Sequence, residues 1–166
     1  MRTEIFKTEM TNSVDSLIRN AFKKSEHGYN GEAELTLTLR NSSTKTFESV
    51  VITDNKVVGH ALLSEAKINQ IKGLVLAPIS VLPEYQGKGI GSQLMMKIDS
   101  IAQNNNYKFI SILGDPHYYS RFGYKPASTY GIIAPMEVPE DVFMVKIFQQ
   151  NDDYAGLLQY APAFGL

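Results

Sequence analysis

The amino-acid sequence predicts a mixed α/β fold, and three consecutive segments carry that prediction. Residues 73–82 (GLVLAPISVL) are almost wholly apolar, which is typical of a central strand covered on both faces. Apolar residues then recur at helical spacing over 90–102, and residues 109–113 predict a second buried strand. A strand, a helix and another strand in succession make a crossover unit, so part of the sheet is expected to be parallel.

The composition is that of one soluble globular domain. The chain has 166 residues, of which 43% are hydrophobic and 20% charged, and these values exclude a disordered or fibrous protein. We expect a single domain over residues 1–166, with a core at about 2–148 and a carboxy-terminal tail, 149–166. This tail is apolar enough to pack on the core, and a dimer contact is the alternative.

Charge and residue types exclude several classes of function. A net charge of −1 removes the general attraction expected of a nucleic-acid-binding protein. Without cysteine the chain has no disulfide, no thiolate zinc site and no cysteine nucleophile, and no His and carboxylate cluster has metal spacing. No stretch is long and apolar enough for a signal peptide or a membrane span. We therefore expect a cytoplasmic protein with no metal and with no nucleic-acid or membrane partner.

The amino-terminal third predicts a strand, a helix and one ambiguous segment. Residues 2–7 predict a short strand. An apolar helical stripe follows, with Asn12 as its expected cap and Asp15 near its positive end; its members are Val14, Leu17, Ile18, Ala21 and Phe22. Residues 32–40 alternate leucine with threonine as a strand does, yet their Glu/Ala/Leu opening suits a short helix. The residues alone leave both structures open.

Three further strands and a turn complete the predicted sheet. Residues 47–53 and 57–66 flank Asp54-Asn55-Lys56, which is a hairpin signal. Residues 142–148 predict another strand. Pro78 lies inside the apolar segment 73–82 and cannot donate to a ladder, so we expect a β-bulge there.

The strongest chemical signal is the glycine-rich segment Gln86-Gly87-Lys88-Gly89-Ile90-Gly91-Ser92. It follows a buried strand and opens a helix, where unpaired N–H groups and a positive dipole end favour a phosphate or pyrophosphate. The spacing fails both the P-loop, which needs Ser or Thr after Lys88, and the dinucleotide fingerprint, which needs glycine at position 92. A strand–helix connection without a ligand is the alternative.

Two motifs resemble the GNAT superfamily of N-acetyltransferases, in particular a bacterial branch of predicted acetyltransferases. Gln86, Gly89 and Gly91 match [QR]-x-x-G-x-[GA], the pyrophosphate-binding signature of that family. Residues 119–124 (YSRFGY) resemble its Y-x-x-x-G-[FY] segment. The resemblance covers about residues 2–148 and implies the GNAT fold, a central mixed sheet flanked by helices with strands 4 and 5 splayed apart. It also favours a helix for residues 32–40.

The resemblance implies acetyl-CoA as cosubstrate and assigns residues to it. Main-chain amides of the fourth strand, at Ile79, Ser80 and Val81, are expected to bind the thioester and pantetheine, with the Val81 N–H facing the oxyanion. The pyrophosphate is expected at Gln86, Gly87, Lys88, Gly89, Ile90, Gly91 and Ser92. Tyr119 matches the tyrosine that protonates the leaving thiolate, and Tyr118 takes that role if the register slips by one. The side chain of Lys88 either supports the phosphates or is a solvated surface lysine.

Several parts of the function stay open at this point. Glu32, Glu34 and His117 are positional candidates for a general base, whereas His60 is expected to be a strand histidine. An asparagine that many family members carry after the fifth strand has no counterpart in residues 113–116 (LGDP). The acceptor is a small-molecule or peptide amine, recognised by loops at 23–31 and 125–139, and the protein is a monomer or homodimer. A non-catalytic acyl-CoA sensor is the rival hypothesis.

Overall fold

The computed structural model describes the whole chain, Met1–Leu166. Its helices are α1 (Thr11–Lys23), α2 (Glu32–Asn41), α3 (Ile90–Asn104) and α4 (Pro116–Ser120). Its strands are β1 (Arg2–Ile5), β2 (Thr46–Thr53), β3 (Lys56–Ile68), β4 (Ile71–Val81), β5 (Phe109–Leu113), β6 (Lys125–Pro126), β7 (Ile132–Ile133), β8 (Phe143–Ile147) and β9 (Gly156–Gln159). No helix of the structure has the length and apolar character needed to span a membrane.

The strands form a mixed sheet in the order β1-β2-β3-β4-β5-β8-β6, and β9 pairs with β3 and β7. Most neighbours are antiparallel, but β4 and β5 run parallel, with Leu74 opposite Ile110 and Val75 opposite Ser111. The parallel pair confirms the predicted crossover through α3. The chain divides into two compact units, residues 1–63 with 77–100, and residues 64–76 with 101–166. That the whole chain is a single domain stays a prediction.

The first unit contains the two amino-terminal helices and α3 up to Ser100. The amphipathic helix α1 buries Val14, Leu17 and Ile18, which confirms the predicted apolar stripe. On β3, Gly59 faces α3 so closely that a Cβ at this position would lie 2.6 Å from a methyl carbon of Ile90. The absence of a Cβ at Gly59 is therefore what allows α3 to approach the sheet this closely.

The second unit is built on β5 and β8, which pair antiparallel from Phe109 opposite Ile147 to Leu113 opposite Phe143. Its carboxy-terminal strand β9 adds to β3, with Leu158 opposite Ile68. Tyr154, Leu158 and Ala161 are buried, so the carboxy-terminal tail contributes to this unit's core.

The structure decides the ambiguous segment in favour of a helix. Ala33, Thr36 and Leu39 are the buried residues of α2, and their spacing of three is that of one helix face. In a strand, Leu35, Leu37 and Leu39 share one face, whereas Leu37 is half exposed in the structure. The helix that the family resemblance favours is confirmed.

The expected cap of the first helix is wrong. A 3₁₀ turn over Thr8–Met10 leads directly into α1, whose cap position is Met10, and Asn12 lies inside the helix. The Thr11 hydroxyl instead donates to the carbonyl of Thr8 at 2.6 Å, which ties the turn to the helix. The hairpin is confirmed, since Asp54 and Asn55 both have positive φ, as a tight hairpin turn of the I′ type requires. At Pro78 the preceding peptide bond is cis, and the bulge expected there stays a prediction.

Candidate active site

The glycine-rich turn between β4 and α3 has the backbone conformation that its glycines permit. Gly87 and Gly89 have φ of +75° and +82°, in the left-handed region that residues with a side chain rarely adopt. A Cβ at either position would meet no atom within 4 Å, so packing does not demand glycine there. The glycines are required by the path of the backbone, and residues 86–89 remain exposed.

This turn presents unpaired amides at the start of a long helix. The amide of Gln93 donates to the carbonyl of Gly89 at 3.1 Å and is the first to close a helical hydrogen bond. Amides before that point have no acceptor within the helix, and the dipole of the fifteen-residue helix α3 places partial positive charge beside them. The turn therefore has the donors and the sign of charge that bind an anion.

At the end of β4, the main-chain N–H and C=O groups of successive residues point in two opposite directions. The Leu82 amide donates to the Val58 carbonyl at 2.9 Å, which places Leu82 opposite Val58 in the antiparallel pair. Because main-chain groups alternate along a strand, those of Ser80 also face β3, whereas those of Ile79 and Val81 point away from it. The Val81 carbonyl accepts from the side-chain amide of Gln86 at 3.3 Å. Gln86 thus links the glycine turn to the strand end, and the amides of Ile79 and Val81 are directed away from β3.

Two exposed lysines, Lys56 and Lys88, lie near the ring of Tyr85 at the turn. The Nζ atoms of Lys88 and Lys56 lie 5.2 Å and 5.7 Å from the centroid of the Tyr85 ring, and Lys56 is 3.7 Å from Glu84. Both side chains are exposed. Lys88 is therefore a solvated lysine that packs on an aromatic ring and also adds positive charge near the turn.

Tyr119 belongs to the second unit and projects from the short helix α4. Asp115 caps this helix by accepting from the His117 amide at 2.9 Å, and Pro116 occupies its first turn. The Tyr119 ring packs edge-on against Tyr118, with centroids 4.9 Å apart. A Cβ on Gly114 would lie 2.2 Å from this ring, so only glycine at 114 leaves room for Tyr119.

The surroundings of Tyr119 keep its phenol protonated. Burial raises the pKa of Tyr119, and the nearby Tyr118 and Asp115 raise it further. Burial also raises the pKa of Tyr118, against the opposing charge of Arg121, which lies 5.4 Å from the centre of the Tyr118 ring. Of the two phenols, Tyr119 has the environment that disfavours phenolate more, since no cation offsets its shift.

The candidate general bases differ in their surroundings. Glu34 binds the Tyr29 hydroxyl and is 3.0 Å from Arg19, and these contacts, the first above all, lower the pKa of Glu34. Glu32 accepts from the Asn30 amide at 2.8 Å, and His117 is exposed on α4. A carboxylate that is already paired and has a lowered pKa is a weak base, so Glu34 is a poor candidate for the role.

Sequence analysis missed a buried polar cluster in the first unit. Arg40 makes two hydrogen bonds of 2.8 Å to Glu48, and Glu48 is 2.7 Å from Nε2 of His60. His60 has no exposed surface. The three residues come from α2, β2 and β3 with no motif spacing, so only the fold brings them together. No group of three or more His, Asp or Glu side chains has the arrangement of a metal site.

Comparison with known families decides which fold family these features belong to. A family model described as an acetyltransferase (GNAT) domain matches residues 17–126. The chain is a GNAT acetyltransferase. The resemblance drawn from the two motifs and the predicted GNAT fold are both confirmed.

Relatives of this GNAT protein are similar over most of its length. The uncharacterized N-acetyltransferase YjhQ of Escherichia coli K12 is 28% identical over 148 residues, which are 85% of this chain and 82% of YjhQ. The uncharacterized N-acetyltransferase YhbS of the same organism is 27% identical over 157 residues, 91% of this chain and 90% of YhbS.

Two solved structures are similar over nearly the whole chain. The structure of E. coli YhbS in complex with CoA has a TM-score of 0.90 and 25% identity, and covers 99% of this chain and 92% of that one. A GNAT family acetyltransferase from Brucella melitensis in complex with acetyl-CoA has a TM-score of 0.82 and 25% identity, covering 98% and 97%.

Proposed function

We propose that this GNAT protein uses acetyl-CoA as donor and transfers its acetyl group directly to a primary amine. The observation that carries the proposal is the turn between β4 and α3, where left-handed Gly87 and Gly89 lead into the unpaired amides of α3. A coenzyme with a pyrophosphate fits these donors. The similarity to a CoA complex and to an acetyl-CoA complex supports the choice of coenzyme.

The proposed reaction is a direct displacement with no acyl-enzyme. The acceptor nitrogen attacks the thioester carbon, a C–N bond forms and the carbonyl oxygen takes the electron pair. The Val81 amide, directed away from β3, is the proposed donor to this oxyanion, where a preorganised donor is worth roughly 10²–10³ in rate. The C–S bond then breaks, and the sulfur leaves with the electron pair.

Tyr119 is the proposed acid for the departing sulfur. A phenol whose pKa is raised by burial is protonated throughout the neutral range and can give its proton to the thiolate. The acceptor nitrogen releases one proton, which restores the phenol by way of solvent, so the products are an amide and free CoA. The acceptor is a small-molecule or peptide amine.

Calorimetric titration tests the coenzyme assignment. Acetyl-CoA is expected to bind in a one-to-one complex, whereas ATP and NAD, which carry phosphates without pantetheine, bind at least roughly tenfold more weakly. Equal affinity for all three would mean that the turn is a general phosphate site. Replacement of Gln86 by Ala removes the link between the turn and Val81 and is expected to weaken acetyl-CoA binding.

A further inference from the structure

A line of polar side chains, half-buried at Arg40 and buried at Glu48 and His60, crosses the first unit from α2 to β3. Arg40 on α2 grips Glu48 on β2 with both ends of its guanidinium, and Glu48 in turn meets His60 on β3. Arg40 also covers the Phe6 ring at 4.1 Å. Taking charged side chains out of water costs free energy, and a buried ion pair is weak evidence of a purely stabilising role. The contacts at the His60 end of the line therefore need an explanation.

The charges in this line fix where the protons of His60 are. Burial by itself raises the pKa of Glu48, but the hydrogen bonds from Arg40 and His60 outweigh it and lower that pKa, so Glu48 is a carboxylate that can only accept. Nε2 of His60 must therefore carry a hydrogen. Burial lowers the pKa of His60 and keeps the ring neutral, which leaves Nδ1 as a bare acceptor.

Two charged groups, Glu48 and Arg40, act on His60. Glu48 approaches from β2 and Arg40 stands behind it on α2. The helix α3 packs against the neighbouring residue Gly59. Because successive residues of a strand face opposite sides of the sheet, α3 lies on the side away from the His60 side chain. The residues that α1 buries, Val14, Leu17 and Ile18, are apolar.

Ser80 on β4 lies opposite His60. Leu82 is paired with Val58, and two residues along each strand bring Ser80 and His60 face to face on the same side of the sheet. Pro78, Ser80 and Leu82 are buried while Ile79 and Val81 are half exposed, so the alternation is regular through this stretch. Directly opposed side chains have Cβ atoms about 5 Å apart, within reach of one hydroxyl.

The two side chains complement each other chemically. Ser80 is 5% exposed and His60 0%. Neither Oγ of Ser80 nor Nδ1 of His60 has a hydrogen-bond partner, and buried polar groups of this kind are rarely left so. One is a rotatable donor and the other is an acceptor without a donor.

We propose that the Ser80 hydroxyl donates to Nδ1 of His60, and that His60 is a positioning residue for acyl transfer. Ser80 sits between Ile79 and Val81, so fixing its side chain fixes the peptide units on both sides, including the Val81 amide. Arg40 and Glu48 hold the imidazole in the tautomer that this contact needs. The hydrogen bond stands without any assumed activity, whereas the positioning role rests on the proposed function.

The test uses the full chain with three single variants and the Ser80→Ala/His60→Gln double variant. Ser80→Ala removes the donor, and His60→Gln keeps a donor toward Glu48 while losing the Nδ1 acceptor. Ser49→Ala is the matched control, because Ser49 is equally buried on neighbouring β2 and its hydroxyl also has no partner. Histidine ¹⁵N resonances report on Nδ1, the Val81 amide resonance reports on the strand, and turnover is measured with the best acceptor from a panel of amines.

The expected result has four parts. The Nδ1 resonance of neutral His60 moves in Ser80→Ala and stays in Ser49→Ala. The Val81 amide resonance differs between the acetyl-CoA and CoA complexes, and this difference is expected to become smaller in Ser80→Ala and His60→Gln. In both variants kcat is expected to fall roughly tenfold to a hundredfold, while the Kd for acetyl-CoA stays the same. The double variant is no worse than either single one, because both remove the same contact.

Two results overturn the inference. If the Nδ1 resonance does not move in Ser80→Ala, or moves in Ser49→Ala instead, the proposed hydrogen bond is contradicted. If the Nδ1 resonance moves in Ser80→Ala but kcat and the response of the Val81 amide to acetyl-CoA are those of the wild type, the positioning role is contradicted. A wild-type protein that fails to bind acetyl-CoA contradicts the proposed function instead, while the ¹⁵N comparison still decides the hydrogen bond.

Discussion

Tyr119 is a phenol held in place by its neighbours, with Tyr118 edge-on at 4.9 Å and Gly114 leaving room for its ring. Replacement by phenylalanine keeps the packing and removes the proton. We expect Tyr119→Phe to lower kcat roughly 10²–10⁴-fold, the range of general acid catalysis, while the acetyl-CoA Kd stays the same. Thiol release and calorimetry measure the two quantities.

The same variant at Tyr118 separates the two neighbours. Tyr118→Phe is expected to keep most of the rate, because the positive charge of Arg121 gives its phenol a different environment. If Tyr118→Phe loses the rate and Tyr119→Phe keeps it, the acid is one position earlier than the motif match indicates.

His60 makes the stability of the protein depend on pH. Burial lowers the pKa of His60 in the folded state, so below its ordinary pKa the unfolded chain binds a proton that the folded one does not. The free energy of unfolding is therefore expected to fall as pH drops below about 6.5, by at most about 1.4 kcal/mol per pH unit. Glu48, whose pKa is also lowered, adds a loss in the same direction at more acid pH.

Urea unfolding between pH 7 and pH 5 tests this with His60→Gln as the comparison. The variant cannot take up a proton at position 60. Its free energy of unfolding is therefore expected to change less with pH in this range, whatever its value at neutral pH. Parallel curves for the two proteins would show that another group controls the acid limb.

The turn between β4 and α3 depends on backbone conformation rather than on space. Alanine at Gly87 or Gly89 meets no neighbour but must adopt φ near +80°, which costs roughly 1–2 kcal/mol. We expect either variant to weaken acetyl-CoA binding about tenfold, because the strained turn shifts the amides that we propose as donors to the pyrophosphate. Calorimetry gives the Kd, and unfolding gives the free energy of unfolding.

Gly165→Ala is the control for this pair. It has φ of +73° and equally open surroundings, but it lies at the carboxy terminus. It is expected to bear a similar strain without changing the acetyl-CoA Kd. A Kd change in Gly165→Ala as large as in Gly89→Ala would mean that lower stability, and not the turn, weakens binding.

The helices and strands were predictable where local pattern and tertiary packing agree. Regular apolar spacing predicted α1 and α3, and Asp54-Asn55 predicted the hairpin between β2 and β3. Segment 32–40 was ambiguous because its leucines alternate, and the helix is selected by burial of Ala33, Thr36 and Leu39 against the rest of the first unit. The cap of α1 failed because a 3₁₀ turn precedes the helix and replaces the side-chain cap.

The candidate site was predictable only where its residues are consecutive. The turn at residues 86–92 and the segment at 119–124 are local motifs, so the sequence alone predicts both as parts of the site. Arg40, Glu48 and His60 meet through the pairing of strands, and their spacing of eight and twelve residues matches no local period. The direction of the Val81 amide likewise follows from the partner of Leu82, which no sequence pattern states.

The carboxy-terminal residues belong to the fold of the second unit. Strand β9 pairs with both β3 and β7, and Leu158 is 0% exposed while its neighbour Leu157 is 47% exposed. Leu158→Ala is expected to lower the free energy of unfolding by about 2–5 kcal/mol, since it leaves a cavity in the core. Leu157→Ala is expected to stay within about 0.5 kcal/mol of the wild type.

Denaturant unfolding of the two leucine variants measures these changes. A loss for Leu157→Ala as large as for Leu158→Ala would show that the exposed side chain is covered in solution, as a dimer contact of the tail requires. Equal stability of Leu158→Ala and the wild type would contradict the burial of β9.

The proposed acetyl transfer is tested most directly by measuring the reaction itself. Acetyl-CoA is incubated with the protein and a panel of primary amines, and free CoA is detected with a thiol reagent, to which this chain adds no background because it has no cysteine. We predict amine-dependent CoA release matched by an equal amount of acetylated amine, and its loss in Tyr119→Phe. Tight binding of acetyl-CoA with no release above the uncatalysed rate for any amine would contradict catalysis and favour a sensor of acyl-CoA.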